Sequence, residues 1–547
     1  MKSRSDALRD LTTRQFDVCV IGAGATGAGC ALDSQLRSFQ TALVDAGDFA
    51  SATSSASTKL AHGGVRYLQQ AVADLDFGQL KVVREALRER ILMLQNALHL
   101  VHSLEFVVPC FNRFDLLYFG AGMKIYDWLA GNASLGSSRL LSKQEALGLV
   151  PTLSADHLVG GVSYRDGQFD DARLAVTLVK TFADARGEVA NYLRIVDFEK
   201  EPTGKLIAAV AEDAFSGQRV AIRARAFVNA TGPFSDEVRQ LATPSLAKRL
   251  VRSKGAHILL PLDGSVNDAL LIPKTEDGRV IFAIPWLGRL LVGTTDQEVT
   301  TADEPMVTQG DAVYLLRHLN RYTARQYAHE EIVSGFAGVR PLVQPAHSRQ
   351  TKNLVREHEV EIDQHSGLVS ILGGKWTTYR VMAEHTIDAV ARMLGRARTR
   401  TSSQNHQLAG TAGYTTEYWR TLAREYEVTK STARHLAEKF GMESVRVLEL
   451  TKENPDLKSP VVAGAAPIRA EIVYSARREM AVTIEDVLAR RIGLQYFDWR
   501  LAMEAAPVVA SQLASELDWS DQQRNEAIQD YVGKIKRWLV AIGLSPD

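Results

Sequence analysis

The chain has 547 residues, and its 64 Lys and Arg are balanced by 64 Asp and Glu. A length of this order holds about three or four domains, and the zero balance excludes a protein built mainly to hold nucleic acid, which needs a basic excess to neutralise phosphates. The three cysteines, Cys19, Cys30 and Cys110, form no C-x-x-C, which argues against a disulfide framework or structural zinc and for a reducing, cytoplasmic setting.

From the start, Met1 to Gln15 carries charges of both signs and lacks the apolar core of a secretion signal. Phe16 to Ile21 then reads as an apolar strand ending in Gly22-Ala23-Gly24-Ala25-Thr26-Gly27. Small residues to Ser34 suit a helix packed on a sheet, and Thr41 to Asp45 forms a second strand. This β-α-β order turns the glycine pattern into a dinucleotide site: Gly22 for the tight turn, Gly24 for approach to a pyrophosphate, Gly27 for helix-strand packing. The phosphates would meet the helix N-terminus, and Asp45 would accept from a ribose hydroxyl.

The run from Thr53 to Leu68 follows, dense in hydroxyls and glycines that can donate to phosphates and a bound ring. Apolar residues from Leu80 to Val101 recur at helical spacing and predict one long helix over Gln79 to Phe106. Another helix is predicted from Arg173 to Arg186, capped by Asp170 or Asp171 and closed by Gly187. Strands are predicted over 189–199, 206–212 and 219–229, the last running into Ala230-Thr231-Gly232. Between His257 and Asp296 the alternation of Val280, Phe282 and Ile284, with a turn at Leu287-Gly288-Arg289, signals an antiparallel sheet. Gln404 to Tyr414 reads as a linker, and the remainder as helices. No apolar run of about 18 residues occurs, so no membrane span is predicted.

Glycines and strands alone do not separate FAD from NAD. The strand Phe227 to Asn229, ending in Ala230-Thr231-Gly232, resembles the second flavin-associated strand of flavoproteins with two dinucleotide folds. Together with Thr53 to Leu68, Gly338-Val339-Arg340-Pro341-Leu342 and Gly373-Gly374-Lys375-Trp376-Thr377-Thr378-Tyr379-Arg380, it resembles the flavin-dependent, quinone-linked glycerol-3-phosphate dehydrogenases. The resemblance runs from Phe16 to Glu384 and includes Asp170-Asp171-Ala172-Arg173-Leu174, Lys254-Gly255-Ala256-His257 and Gly293-Thr294-Thr295-Asp296.

The resemblance implies an α/β fold: a two-dinucleotide-fold flavoprotein with a discontinuous Rossmann-like FAD domain (1–78, 155–250 and 335–400). It adds an antiparallel-sheet substrate domain (79–154 and 251–334) and an all-helical C-terminal domain (410–547). It implies FAD as cofactor and oxidation of glycerol 3-phosphate to dihydroxyacetone phosphate, with a quinone as final acceptor. That chemistry needs a hydride acceptor, a base and a cationic cradle for the phosphate. His62 and His257 are the candidate bases, and Arg66, Arg340, Arg356 and Lys375 the candidate cradle, with Tyr67 beside the substrate. Gly22, Gly24, Gly27, Asp45, Thr53, Ser54, Ser55, Lys59, His62, Gly63, Ala230, Thr231, Gly232, Gly374, Lys375, Thr377 and Thr378 are expected at the cofactor, and no metal ligand is expected.

Two positions depart from the family pattern: Asp45 stands where Glu is common, and Trp376 where some relatives have Leu. No calcium-binding loop pattern occurs, so calcium regulation is not expected. Peripheral contact with the inner face of the cell membrane is expected, with the helix from Gln79 and the basic, aromatic Lys534 to Leu539 as candidate surfaces. A homodimer stays open. The alternatives are an oxidase that passes electrons to dioxygen, an oxidase of amino or hydroxy acids, and a non-catalytic flavin-binding module.

Overall fold

The computed structural model describes residues 1–64, 77–262, 264, 267–344, 358–396 and 399–546. Two sheets organise them. The first is built on β1 (Gln15–Ile21), whose Val18, Cys19, Val20 and Ile21 are all buried, as a strand covered on both faces requires. Parallel to it lie β2 (Thr41–Val44) and then β7 (Glu188–Ala190) on one side, and β10 (Arg219–Asn229) and then β18 (Val369–Gly373) on the other. Antiparallel β17 (His358–Ile362) joins β18, while β9 (Leu206–Asp213) joins β10 and carries β8 (Leu193–Lys200). The predicted strand over 189–199 is thus two strands, divided at Tyr192, which has a positive φ of 57°. The helices Ala25–Leu36, Asp171–Asp184 and Tyr379–Met393 pack on this sheet.

The second sheet runs β15 (Gln297–Val299), β11 (Leu250–Pro261), β14 (Arg289–Gly293), β13 (Ile281–Trp286), β12 (Ala269–Ile272), β4 (Val101–Cys110), β6 (Gly160–Phe169) and β3 (Leu60–Ala61). β16 (Ser334–Val343) pairs with β11, and β5 (Arg139–Ser142) with β6. The β13–β14 hairpin turns at Leu287 and Gly288, both with positive φ, at the predicted place.

Three expectations need correcting. The long helix ends at Asn96, and residues 101–110 form β4, fully registered against β6. Ten ladder positions outweigh a helical spacing that Leu98 and Val101 continue only by coincidence. β3, β6 and β16 lie in the second sheet, although the ranges expected for the FAD domain contained them. The stretch from Gln404 to Tyr414 is no loose linker: Leu408 and Thr411 are buried, and the Leu408 amide and Thr411 hydroxyl both donate to the Asn96 carbonyl.

The C-terminal part is helical, as predicted, but holds two cores. One is its own, around Leu436, Phe440 and Tyr474. The helices Trp499–Leu517 and Asp521–Ile542 instead bury Trp499, Ala502, Ile535 and Leu539 in one core with Ile258, Ile281 and Val292 of the second sheet.

Candidate active site

The strands β1 and β10 end side by side: the Ala230 amide donates to the Ile21 carbonyl (2.9 Å) and the Gly22 amide to that of Val44 (2.7 Å). Gly22 has φ +99°, and a Cβ there would lie 2.7 Å from the Ala230 carbonyl oxygen; a Cβ on Gly27 would lie 1.7 Å from that of Gly22. These contacts are backbone to backbone, so any side chain at either position must displace a strand end. Gly27 itself is buried beneath the turn, where it sets the helix-strand spacing.

Above the turn opens a cavity of about 1030 Å³, at the upper end of small-molecule sites. Gly22, Gly24, Asp45, Thr53, Ser54, Ser55, His62, Ala230, Thr231, Gly232, Gly374, Lys375 and Thr377 all line it, together with His257 and Arg340. The hydroxyl-rich segment is pinned from three sides. Thr53 donates to the Val339 carbonyl (2.7 Å), the Trp376 indole donates to the Ser54 carbonyl (2.9 Å), and Ser54 Oγ accepts from the Ala25 amide (2.9 Å). The helix N-terminus is therefore bonded to a small hydroxyl facing the cavity, on which an anion can also dock. Asp45 accepts from the amides of Ala23 (2.6 Å) and Gly47 (2.9 Å); burial pushes its carboxyl up to about 6 against those donors. Both donors face the same carboxylate that the ribose would use, and the shorter Asp side chain still reaches the cavity wall.

At the far end, β11, β14 and β16 bring His257 and Arg340 together. His257 is buried, stacks on Phe336 with ring centres 4.8 Å apart, and holds the Thr58 hydroxyl at 3.0 Å from Nε2. Burial, then the Arg340 and Lys59 cations, push its pKa well below the usual histidine value, so the ring is neutral at physiological pH. Arg340 donates to Thr294 Oγ1 (2.9 Å) and to the Thr295 carbonyl, and lies 3.6 Å from Asp296. Glycine at 255 leaves room for it, since a Cβ there would come within 2.4 Å of Nη2. His62 reaches the same cavity just beyond β3, half-buried. Arg66, Tyr67 and Arg356 lie outside the described residues.

Three expected cofactor contacts are placed elsewhere. Lys59 is fully buried away from the cavity: its ammonium donates to Asp171 (2.5 Å) and the Ser55 carbonyl (2.7 Å), under the rings of Trp286, Phe336 and Tyr496. Gly63 is glycine for packing; its amide donates to the Tyr126 hydroxyl, and a Cβ would strike Leu87. Thr378 turns inward, donating to the Lys375 carbonyl at the start of the helix that follows. The Asp170-Asp171-Ala172-Arg173 motif is likewise a support: Asp171 holds Lys59 and the Ser57 amide, and Arg173 forms a bidentate pair with Glu479.

The sequence reading missed the wall supplied by the C-terminal helices, where Glu485, Arg490, Gln495, Tyr496, Trp499 and Lys534 line the cavity. Its one signal is Arg490-Arg491, two adjacent cations between the apolar Leu488-Ala489 and Ile492.

A cradle of glycines, a helix N-terminus and a carboxylate at the end of β2 fits the pyrophosphate and ribose of a dinucleotide. The comparisons agree. Residues 17–388 match the model of the FAD dependent oxidoreductases, and residues 401–524 that of the C-terminal domain of alpha-glycerophosphate oxidase. The chain belongs to the FAD-dependent oxidoreductase family, and its cofactor is FAD. Within it, relatives that match nearly the whole chain include glycerol-3-phosphate dehydrogenases. The mitochondrial enzyme of Arabidopsis thaliana is 37% identical over 94% of this chain and 85% of its own length; that of Homo sapiens is 37% identical over 94% and 72%. The Bacillus halodurans glycerol-3-phosphate dehydrogenase, solved in complex with FAD, superposes with a TM-score of 0.81 at 28% identity, covering 99% of this chain and 98% of that one.

Proposed function

We propose that this chain oxidises sn-glycerol 3-phosphate to dihydroxyacetone phosphate and that a quinone takes up the electrons. The observation that carries the reading is one cavity in which a dinucleotide cradle meets two histidines and a guanidinium, in a chain whose relatives are named for this reaction. Bound FAD supplies the acceptor for the hydride that leaves the substrate C2.

The chain's own residues do the rest. Arg340 and Lys375, both on the cavity wall, bind the substrate phosphate, the guanidinium by a fork of hydrogen bonds and the ammonium as a point charge. The hydroxyl proton goes to His62. His257 is held neutral by burial and two nearby cations, which makes it a poor proton acceptor. It serves instead to position the substrate, with its tautomer set by Thr58. The wall around Phe336, Tyr496 and Trp499 excludes water from the reacting atoms. Anaerobic mixing with glycerol 3-phosphate should bleach the flavin absorbance while glycerol and lactate leave it unchanged; bleaching by all three refutes the phosphate cradle.

The acceptor reading rests on the relatives' names as dehydrogenases and on one surface. The helix Arg113–Ala130 exposes Phe114 (75%), Leu117 (68%), Tyr118 and Trp128 (72%) along a single stripe, with Leu140 (53%) beside it. Arg113, Lys124 and Arg139 flank the stripe and are exposed. Aromatic rings with a cationic fringe suit an anionic lipid surface, where a quinone is dissolved. Of the two surfaces expected from sequence, the Lys534 to Leu539 end is otherwise engaged: Ile535 and Leu539 are buried, Lys534 pairs with Glu485, and Trp538 packs against Trp499. No helix of the described residues is long and apolar enough to cross a membrane, so the contact proposed is peripheral. The double variant Phe114→Ser/Trp128→Ser should bind anionic vesicles about tenfold or more weakly, each ring being worth roughly 1.5–3 kcal/mol when fully buried. Unchanged flotation with vesicles refutes the surface. Stoichiometric peroxide without added quinone favours the oxidase instead.

A further inference from the structure

Between the end of β2 and the C-terminal helices lies a buried set of charges that the reaction does not use. Asp48, three residues beyond Asp45, is fully buried. It accepts from Arg490 Nε (2.5 Å), from Arg491 Nη1 and Nη2 (2.5 and 2.9 Å) and from the Asn191 amide (3.1 Å). Both arginines come from a π-helical turn, Asp486–Arg491, a rare geometry that is frequent at functional sites. The turn is itself anchored: Arg490 donates to Asp486 (2.7 Å), which also accepts from the Tyr192 hydroxyl (2.7 Å), and Arg491 donates to the Glu479 carbonyl (2.7 Å). Asp48 and Arg490 both reach the cavity wall, as do Asp45, Ala46 and Gly47 between them and the glycine turn.

The Asp45–Asp48 segment is held besides by the Asp45 carboxylate and by backbone bonds: from the Asp45 amide to the Ala190 carbonyl (3.2 Å), from the Tyr192 and Leu193 amides to the Gly47 and Asp45 carbonyls, and from the Ser51 amide to the Asp48 carbonyl (3.1 Å). We propose that Arg490 and Arg491 position this segment for the ribose of FAD, so that the C-terminal helical part sets flavin affinity although the glycine turn lies some 450 residues upstream of it in the chain. Removing one of two guanidiniums from a buried carboxylate leaves its charge only partly compensated, which is costly. Loss of Arg490 must therefore move the loop or the charge, and the ribose site moves with it. This rests on FAD as the cofactor and is independent of which alcohol is oxidised.

The test is the dissociation constant of FAD from apoprotein, read by quenching of flavin fluorescence, in Arg490→Met, Arg490→Lys and Arg289→Ala. Arg289 bonds Asp498 and stacks on Phe497, so it also joins the second sheet to the C-terminal helices but lies away from the Asp45–Asp48 segment. Arg490→Met should weaken FAD at least tenfold, with Arg490→Lys between it and wild type. Arg289→Ala should lower the melting temperature while leaving FAD affinity within twofold. The proposal fails if Arg490→Met binds FAD like wild type, or if Arg289→Ala weakens FAD as much. Should Arg490→Met not fold, hydrogen exchange on the wild-type protein decides: FAD must slow exchange in residues 484–496 and leave 418–453, whose core lies in the separate helical cluster, unchanged. No slowing in 484–496 overturns the proposal.

Discussion

The two walls of the cavity are made by opposite means. The N-terminal wall is backbone: at Gly22, Gly24 and Gly27 the strand ends, helix and hydroxyl segment approach so closely that there is no room for a side chain. The C-terminal wall is backed by charge: Arg490, on the cavity, pairs with Asp48 and Asp486, and behind them stand Arg491, Glu479 and Arg173, all buried and joined across long stretches of chain. A backbone wall is rigid and fails completely when a Cβ intrudes. A wall of ion pairs fails by degrees, because each cation carries only part of the compensation. The walls should therefore respond differently to substitution.

The largest effect is expected on the first wall. Gly27→Val puts a branched side chain where even a Cβ would lie 1.7 Å from the Gly22 carbonyl oxygen. The purified protein should carry no flavin, measured as absorbance per mole after gel filtration, and added FAD should not restore it. Retention of half the flavin or more would mean that the turn yields, and the contrast between the walls would be lost.

Arg340→Ala, between the walls, comes next. Removing one member of a desolvated charge pair costs about 2–5 kcal/mol, so kcat/KM for glycerol 3-phosphate should fall by about a hundredfold or more while flavin content stays complete. A fall in kcat with unchanged KM would move Arg340 from phosphate binding to the transition state alone.

These two positions show what the chain makes legible. Gly22, Gly24 and Gly27 can be read because no other residue tolerates those approaches, and β1, β2 and the helix between them follow from the same pattern. Arg340 and Lys375 can be read from their motifs. Lys59 misled because a cation in a run of serines and glycines looks like a phosphate ligand; only the fold shows Asp171 and three rings enclosing it. The Asp48–Arg490 pair is separated by 442 positions, and no local spacing records such a partnership. β4 was hidden for a related reason, since its pairing with β6 is decided some 60 residues later.

The histidines give an intermediate effect and separate chemistry from support. His62→Asn should remove the acid limb of the kcat/KM profile and lower its plateau at least tenfold, in the range usual for a general base. His257→Asn should lower the plateau but keep the limb. Stability gives the sign independently. Below about 6.5 the unfolded chain binds a proton at His257 that the folded protein refuses. Wild type should therefore lose stability on acidification from about pH 6.5, by up to about 1.4 kcal/mol per pH unit from this group, and His257→Asn should lose less. Equal acid sensitivity of the two proteins in urea unfolding would show that His257 titrates normally.

The smallest expected effect returns to the seam between the walls, at Asp45. Its carboxyl is raised to about 6 by burial, while the amides of Ala23 and Gly47 favour the charged form. Because its folded value exceeds that of an unfolded aspartate, the apoprotein gains stability from the protonated form, and this gain is lost as pH rises from about 4 through 6. The ribose hydroxyl has the opposite preference, since a carboxylate accepts a stronger hydrogen bond than a carboxylic acid. FAD affinity should therefore rise severalfold as pH is raised through 6, the range of a net hydrogen-bond difference of about 1 kcal/mol. Asp45→Asn, which keeps the shape but cannot ionise, should bind FAD severalfold more weakly at pH 8 and show no step near 6. A step that persists in Asp45→Asn would assign the titration to another group on this wall.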